Sequence, residues 1–127
     1  MSTLEVSTAK VTNLNDGTTT LATTFITSGS AKVWCRWDFS ETNVIKDSLN
    51  VSSLSDDSTG TNTINYSSSM SNANYSAVTG TVRNTRVSGP TGNSDVTTST
   101  IKILSYSSSG SLFDSAFASA KVHGDLA

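Results

Sequence analysis

Between Ile45 and Tyr75 the apolar residues never run far enough to make the face of a helix. They come in short alternations: Ile45-Lys46-Asp47-Ser48-Leu49-Asn50-Val51-Ser52-Ser53-Leu54, then Thr63-Ile64-Asn65-Tyr66, then Met70-Ser71-Asn72-Ala73-Asn74-Tyr75, with polar turns between them. A period of two is the mark of a half-buried strand, whose successive side chains point to opposite faces. The clearest case lies just upstream, in Ala31 to Phe39. There Val33, Cys35, Trp37 and Phe39 share one face, while Lys32, Trp34, Arg36 and Asp38 share the other. Trp34 is the odd residue on that polar face. It packs against an N-terminal arm or a neighbouring strand, or it sits in a subunit interface, where Trp is enriched.

Composition favours the same class. Ser and Thr make up 45 of the 127 residues, charged residues are 14%, and Gln is absent. Thr suits strands, whereas Ser and Asn suit turns and compete with helical hydrogen bonds. An apolar content of 35% with so little charge is unlike a disordered chain. A net charge of −2 with scattered cations argues against a phosphate-binding surface, since even the closest pair, Arg83 and Arg86, makes no patch. Cys35 is the one cysteine, so no intrachain disulfide is possible. The opening Met1-Ser2-Thr3-Leu4-Glu5 lacks the basic flank and apolar run of an export signal, and no stretch is long and apolar enough for a membrane-spanning helix. The expectation is a protein made and folded in a reducing cytoplasm.

Turn signals divide the chain into about eight strands, the spacing of a sandwich or barrel. Residues Ser2 to Thr12 give a weak strand, Asn15-Asp16-Gly17 a strong turn, and the Thr-rich Thr18 to Thr27 a second strand. In Val44 to Val51, Asp47 shares the parity of Ile45, Leu49 and Val51, which a bulge near Asp47 would resolve. Leu54 to Gly60 reads as a turn, Thr63 to Ser67 and Tyr75 to Arg83 as strands, and Asn84 to Asp95 as the longest loop. Val96 to Ser105 is a strand with Ile101 and Ile103 inward, and Leu112 to His123 is the last. A short helix over Phe113 to Ala120 is the lesser alternative there, for no capping pattern supports it. The expected core is Val33, Cys35, Trp37, Phe39, Ile64, Tyr66, Ile101 and Ile103.

From about Ala31 to the C-terminus the chain resembles a small β domain of tail-fibre and related virion structural proteins of bacteriophages, especially those of marine cyanobacteria. The resemblance lies in Trp34-Cys35-Arg36-Trp37, in Asn50-Val51-Ser52-Ser53-Leu54, in the acidic-to-Gly turn ending at Gly60, and in Met70 followed by Ala73-Asn74-Tyr75. The chain departs from the family where Phe39-Ser40-Glu41-Thr42-Asn43 replaces a Gly-rich turn and Ser71 replaces a common Pro. Cys35 and Trp37 also stand where an aliphatic residue and Phe are usual. What the resemblance implies is a single antiparallel β-sandwich, jelly-roll-like, over residues 31–127, preceded by an extended attachment or oligomerisation arm over 1–30. It implies a homotrimer displayed on a virion, touching other virion proteins of tail or capsid and the host surface. Tail fibre or tail tip is the first expectation, a capsid decoration or head fibre the alternative, and a free lectin-like module the third.

No catalytic constellation is legible, and no metal or cofactor is expected. His123 reads as an exposed terminal side chain, and a Cys35–His123 nucleophilic pair is disfavoured because a thiol on an apolar face is inert. Asp56-Asp57-Ser58-Thr59-Gly60 lacks the spaced ligands of a calcium loop, so its acids read as solvated. The Asn-x-Ser triplets at Asn50, Asn65 and Asn74 are expected by chance in so Ser-rich a chain. Tyr66, Tyr75, Tyr106 and Trp34 could stack on carbohydrate, but core or interface packing is the readier use of each. The expected recognition element is the loop bearing Arg83, Arg86 and Asn93, because loops on rigid β scaffolds carry binding. The expected interface residues are Trp34, Leu4 and Val6. Nucleic acid and membrane insertion are not expected.

Overall fold

A computed structural model describes residues 11–41, 44–81, 85–90 and 92–127, with no side-chain description for 81 and 85–88. The chain divides into two compact units, Met1–Ser30 and Ala31–Ala127. Leu4 and Val6, and the weak strand expected before Thr12, fall almost wholly outside the described residues.

The described residues of the first unit form a hairpin followed by a short helix. Strands β1 (Asn13–Asn15) and β2 (Thr20–Ala22) pair antiparallel with Leu14 opposite Leu21. Asp16 makes the turn. Its carboxylate accepts the N–H groups of Thr19 at 2.7 Å and Thr18 at 2.9 Å, and these bonds hold its pKa below the usual value. Gly17 follows at φ +96, where only glycine is unstrained. The strand expected to run through Thr27 stops early, and Thr24–Gly29 forms α1. The cause is hydroxyl chemistry. Thr27 and Ser30 turn their hydroxyls onto the carbonyls of Thr24 and Ile26, and Thr23 bonds back to Val11 and Thr12. Local side-chain bonds of this kind overrule the β preference of Thr.

The described residues of the second unit hold eight strands: β3 (Ala31–Asp38), β4 (Val44–Leu49), β5 (Val51–Ser58), β6 (Thr61–Tyr66), β7 (Ser76–Thr81), β8 (Thr85–Ser88), β9 (Thr100–Ser107) and β10 (Ala118–His123). They form two antiparallel four-stranded sheets in the orders β4-β3-β10-β7 and β5-β6-β9-β8. The passage between sheets at β4 and β5 takes one residue. Asn50 sits there at φ +56, in the left-handed region that Asn tolerates better than most residues. Its carboxamide accepts from Ser68 N at 2.7 Å and donates to Ser68 O at 3.0 Å, which fixes the corner.

Three segments differ from the sequence reading. Leu54 to Ser58 extends β5, and the turn is confined to Thr59 and Gly60. Register shifts at Val51/Ser53 and Asp56/Ser58 let this Ser- and Asp-rich strand pair with β6 while only Leu54 among its central residues needs an apolar partner. Within the expected loop of 84–95, Thr85–Ser88 pairs with β9 as an edge strand, so Arg86 lies on a strand opposite Tyr106. Arg83 lies outside the described residues, and Asn93 opens a 3₁₀ turn, Asn93–Asp95. The last region is strand only from Ala118, with no helix over Phe113 to Ala120. The irregularity expected near Asp47 is present: Arg36 pairs with Asp47 and Trp37 with Ile45, leaving Lys46 as the extra residue.

One cluster of buried side chains draws on both sheets. Val33, Cys35, Trp37, Ala118, Ala120 and Val122 come from one sheet and Ile64, Tyr66, Ile101 and Ile103 from the other, with Phe39 and Met70 beside them. A buried polar clasp ties the sheets together. Trp37 Nε1 donates to Asn62 Oδ1 at 3.0 Å, and Asn62 Nδ2 donates to Ser55 O at 3.2 Å. Gly60, at φ +65, closes the β5–β6 hairpin against backbone. A Cβ there would stand 2.6 Å from both Phe113 N and Ser105 O.

Candidate functional site

The segment leading into β7 and the turn before β9 border a cleft of about 320 Å³, lined by Ala73, Asn74, Tyr75, Asn93 and Val96. Each wall is set by local chemistry. Asn72 folds its carboxamide onto the backbone of Asn74, with Asn74 N donating to Asn72 Oδ1 at 2.8 Å. Such Asx turns are what Asn does well ahead of a strand. On the other side the 3₁₀ turn closes through Val96 N to Asn93 O, and Val96 bridges to Ile101.

Tyr75 forms the floor and is clamped. Its hydroxyl accepts from Tyr66 Oη at 3.0 Å and shares its own proton between Thr100 O at 2.9 Å and Thr97 O at 3.0 Å. The two rings meet edge to face, 6.1 Å between centroids. Burial pushes the Tyr75 hydroxyl up in pKa against the opposing bonds from Tyr66 and Thr97. Burial pushes Tyr66 up as well, reinforced by its donation to Tyr75. Both therefore stay neutral phenols at physiological pH. Gly124 makes room behind the floor, since a Cβ there would stand 2.8 Å from both Tyr75 Cβ and Met70 Cε.

A second surface lies on the outer face of the β4-β3-β10-β7 sheet. The register aligns Leu49, Trp34, Lys121 and Val78 in one row across all four strands. Leu49 is 48% and Val78 61% exposed, and Trp34 is half-buried. In the next row Arg36 stands opposite Asp47 and lies 4.8 Å from the centre of the Phe117 ring. Trp34, of the polar parity, thus stands in one row with Leu49 and Val78, and Lys121 lies between it and Val78.

The other sequence candidates are dispersed. Cys35 is buried opposite Ala120, and burial pushes its thiol pKa up to about 12. His123 is half-buried opposite Ala31, about 13 Å along the strand from Cys35 at ~3.3 Å per residue, so the two do not meet. Asp57 accepts the Thr63 hydroxyl at 2.6 Å, and Asp56 is exposed. Among the described residues no group of three His, Cys, Asp or Glu side chains could hold a metal ion. Tyr106 pairs with Arg86 in β8, away from Tyr66 and Tyr75, whose hydroxyls bond each other. Of the expected recognition residues, the structure brings Asn93 together with Tyr75. The sequence reading missed Asn74 and Val96 as its companions. The signal that could have found them is Asn72-Ala73-Asn74 directly before an aromatic residue at the start of a strand.

Comparison with protein-family models, with curated proteins and with solved structures finds no match to this chain.

Proposed function

We propose that this chain is a structural component of a bacteriophage virion, a small tail-fibre or tail-tip-like module displayed on the particle surface and binding rather than transforming what it touches. In this reading the two sheets of residues 31–127 stack as a β-sandwich, jelly-roll-like in having two four-stranded antiparallel sheets although hairpin partners lie side by side in each. The observation that carries the reading is the row Leu49, Trp34, Lys121 and Val78, which crosses an entire sheet and exposes two large aliphatic groups in line with a half-buried Trp. Such a face suits assembly with other copies or with virion proteins. The resemblance of Trp34 to Gly80 supports a virion as the setting and a homotrimer as the state.

The first unit supports an attachment role for residues 1–30. Leu14, Leu21, Phe25 and Ile26 are all exposed, and Phe25 is 69% so. A lone hairpin is marginal in water, so such a unit gains from docking onto a partner. A second reading, a decoration or head-fibre protein on the capsid shell, is favoured by the compactness of this unit, whose described residues form a hairpin and a short helix rather than an extended shaft. Immunogold electron microscopy with antibodies against the chain tests the proposal on intact particles. Label at the tail is expected, label spread over the shell is the outcome of the second reading, and particles without label contradict both.

A further inference from the structure

The cleft beside Tyr75 has a chemistry that defines its ligand. Its two polar side chains, Asn74 and Asn93, are exposed, and among the described residues neither carboxamide is held by a hydrogen bond. Each amide offers two donors and two acceptor lone pairs. Among the described residues the remaining lining is Tyr75, Val96 and Ala73, with no charged side chain. The Tyr75 hydroxyl is committed to Tyr66, Thr97 and Thr100, so what Tyr75 offers a ligand is hydrocarbon surface.

These features select by exclusion. A phosphate, carboxylate or amine would shed hydration and meet no opposite charge, which is costly. A purely apolar ligand would bury the two carboxamides without partners. What fits is a neutral molecule with an apolar patch on one side and hydroxyls around its rim. A volume near 320 Å³ lies at the small end of ligand pockets, which span roughly 300–1,000 Å³, so one or two rings fill it. We propose that this cleft is a binding site for a neutral saccharide, whose C–H face rests on Tyr75 and Val96 and whose hydroxyls bond the carboxamides of Asn74 and Asn93. The site is preorganised from behind. The ring is clamped through three hydrogen bonds and Gly124 packs close to the Tyr75 Cβ, so binding orders little besides two Asn side chains.

This inference deepens the display reading by giving the surface contact a place and a ligand class, and its test does not depend on where the protein sits in a particle. The full chain, labelled with ¹⁵N, is titrated with methyl glucoside, methyl galactoside, methyl N-acetylglucosaminide and maltose, with glucuronate and glucosamine as charged controls. Shifts are expected at the backbones of Asn74, Tyr75, Asn93 and Val96 and at the two side-chain NH₂ groups. At least one neutral sugar should saturate in the millimolar range, and neither control should. Asn74→Ala and Asn93→Ala, both surface changes, should keep the wild-type melting temperature and each weaken binding by roughly tenfold, the loss of one net hydrogen bond. Absence of shifts from every neutral sugar at tens of millimolar would overturn the proposal. So would shifts centred elsewhere, or tighter binding of a charged control. Failure here with label on particles would remove the saccharide and leave the virion role standing.

Discussion

Trp37 does two jobs at once. Its ring fills the centre of the core at 1% exposure, and its indole N–H meets Asn62, which is fully buried. Trp37→Ala should cost about 3–5 kcal/mol, the usual range for emptying an aromatic core site. Asn62→Ala should cost about 1–3 kcal/mol, because it strands a buried N–H. Urea denaturation of both variants and of the double mutant checks this, with a non-additive pair expected since the two share one bond. Cys35 leads to a pH dependence. Its folded pKa is about 12 against 9.0 for the free thiol. Below pH 9 it is protonated in both states and contributes no slope. As pH rises from 9 towards 12, only the unfolded state ionises, so stability falls by up to ~1.4 kcal/mol per pH unit. Tyr66 and Tyr75, both raised, steepen the loss above their ordinary range. Denaturation measured at pH 8 and pH 10 should show the decline, smaller in Cys35→Ala.

At the scale of elements, the corner between β4 and β5 hangs on one residue. Asn50→Ala places a Cβ-bearing residue without amide compensation at φ +56, costing roughly 1–2 kcal/mol, and removes two bonds to Ser68 worth ~0.5–1.5 kcal/mol each. Asn50→Gly should recover the backbone share only, so its urea midpoint should lie between alanine variant and wild type. The elements that were legible beforehand are those whose side chains alternate. Val33, Cys35 and Trp37 on β3, Phe39 just beyond its end, and Ile101 and Ile103 on β9 are buried where period two places them. The misplaced elements share a cause. β5 and β8 each pair along the backbone with a neighbouring strand, and such pairing leaves no trace in the side-chain pattern, while in α1 Thr and Ser hydroxyls bond backward. Asn62 escaped for a related reason, since a buried amide looks like any turn-former until its partner across the core is known.

For the whole molecule, the second unit carries a partly apolar sheet face and a polar cleft, and the first unit exposes Leu14, Leu21, Phe25 and Ile26. The proposed trimer rests on the sheet face and on these exposed residues of the first unit. Light scattering of the full chain at micromolar concentration should give about three times the 13.3 kDa monomer mass, and Trp34→Ser with Leu49→Ser should lower it. A monomer from the unaltered chain would contradict the trimer. The site was legible only in part. Tyr75 and Asn93 drew attention singly as an aromatic residue and a loop amide, but their meeting depends on the Thr97–Thr100 turn and on Gly124, neither of which advertises a contact. The claim beneath all of this is that both sheets close on a single core through Trp37 and Asn62. Hydrogen exchange followed by NMR on the full chain tests it most directly. The account predicts that the Trp37 indole N–H and the amides at the centres of β3, β6, β9 and β10 exchange last and together, through global unfolding. Fast exchange at the indole, or protection of one sheet without the other, would contradict it.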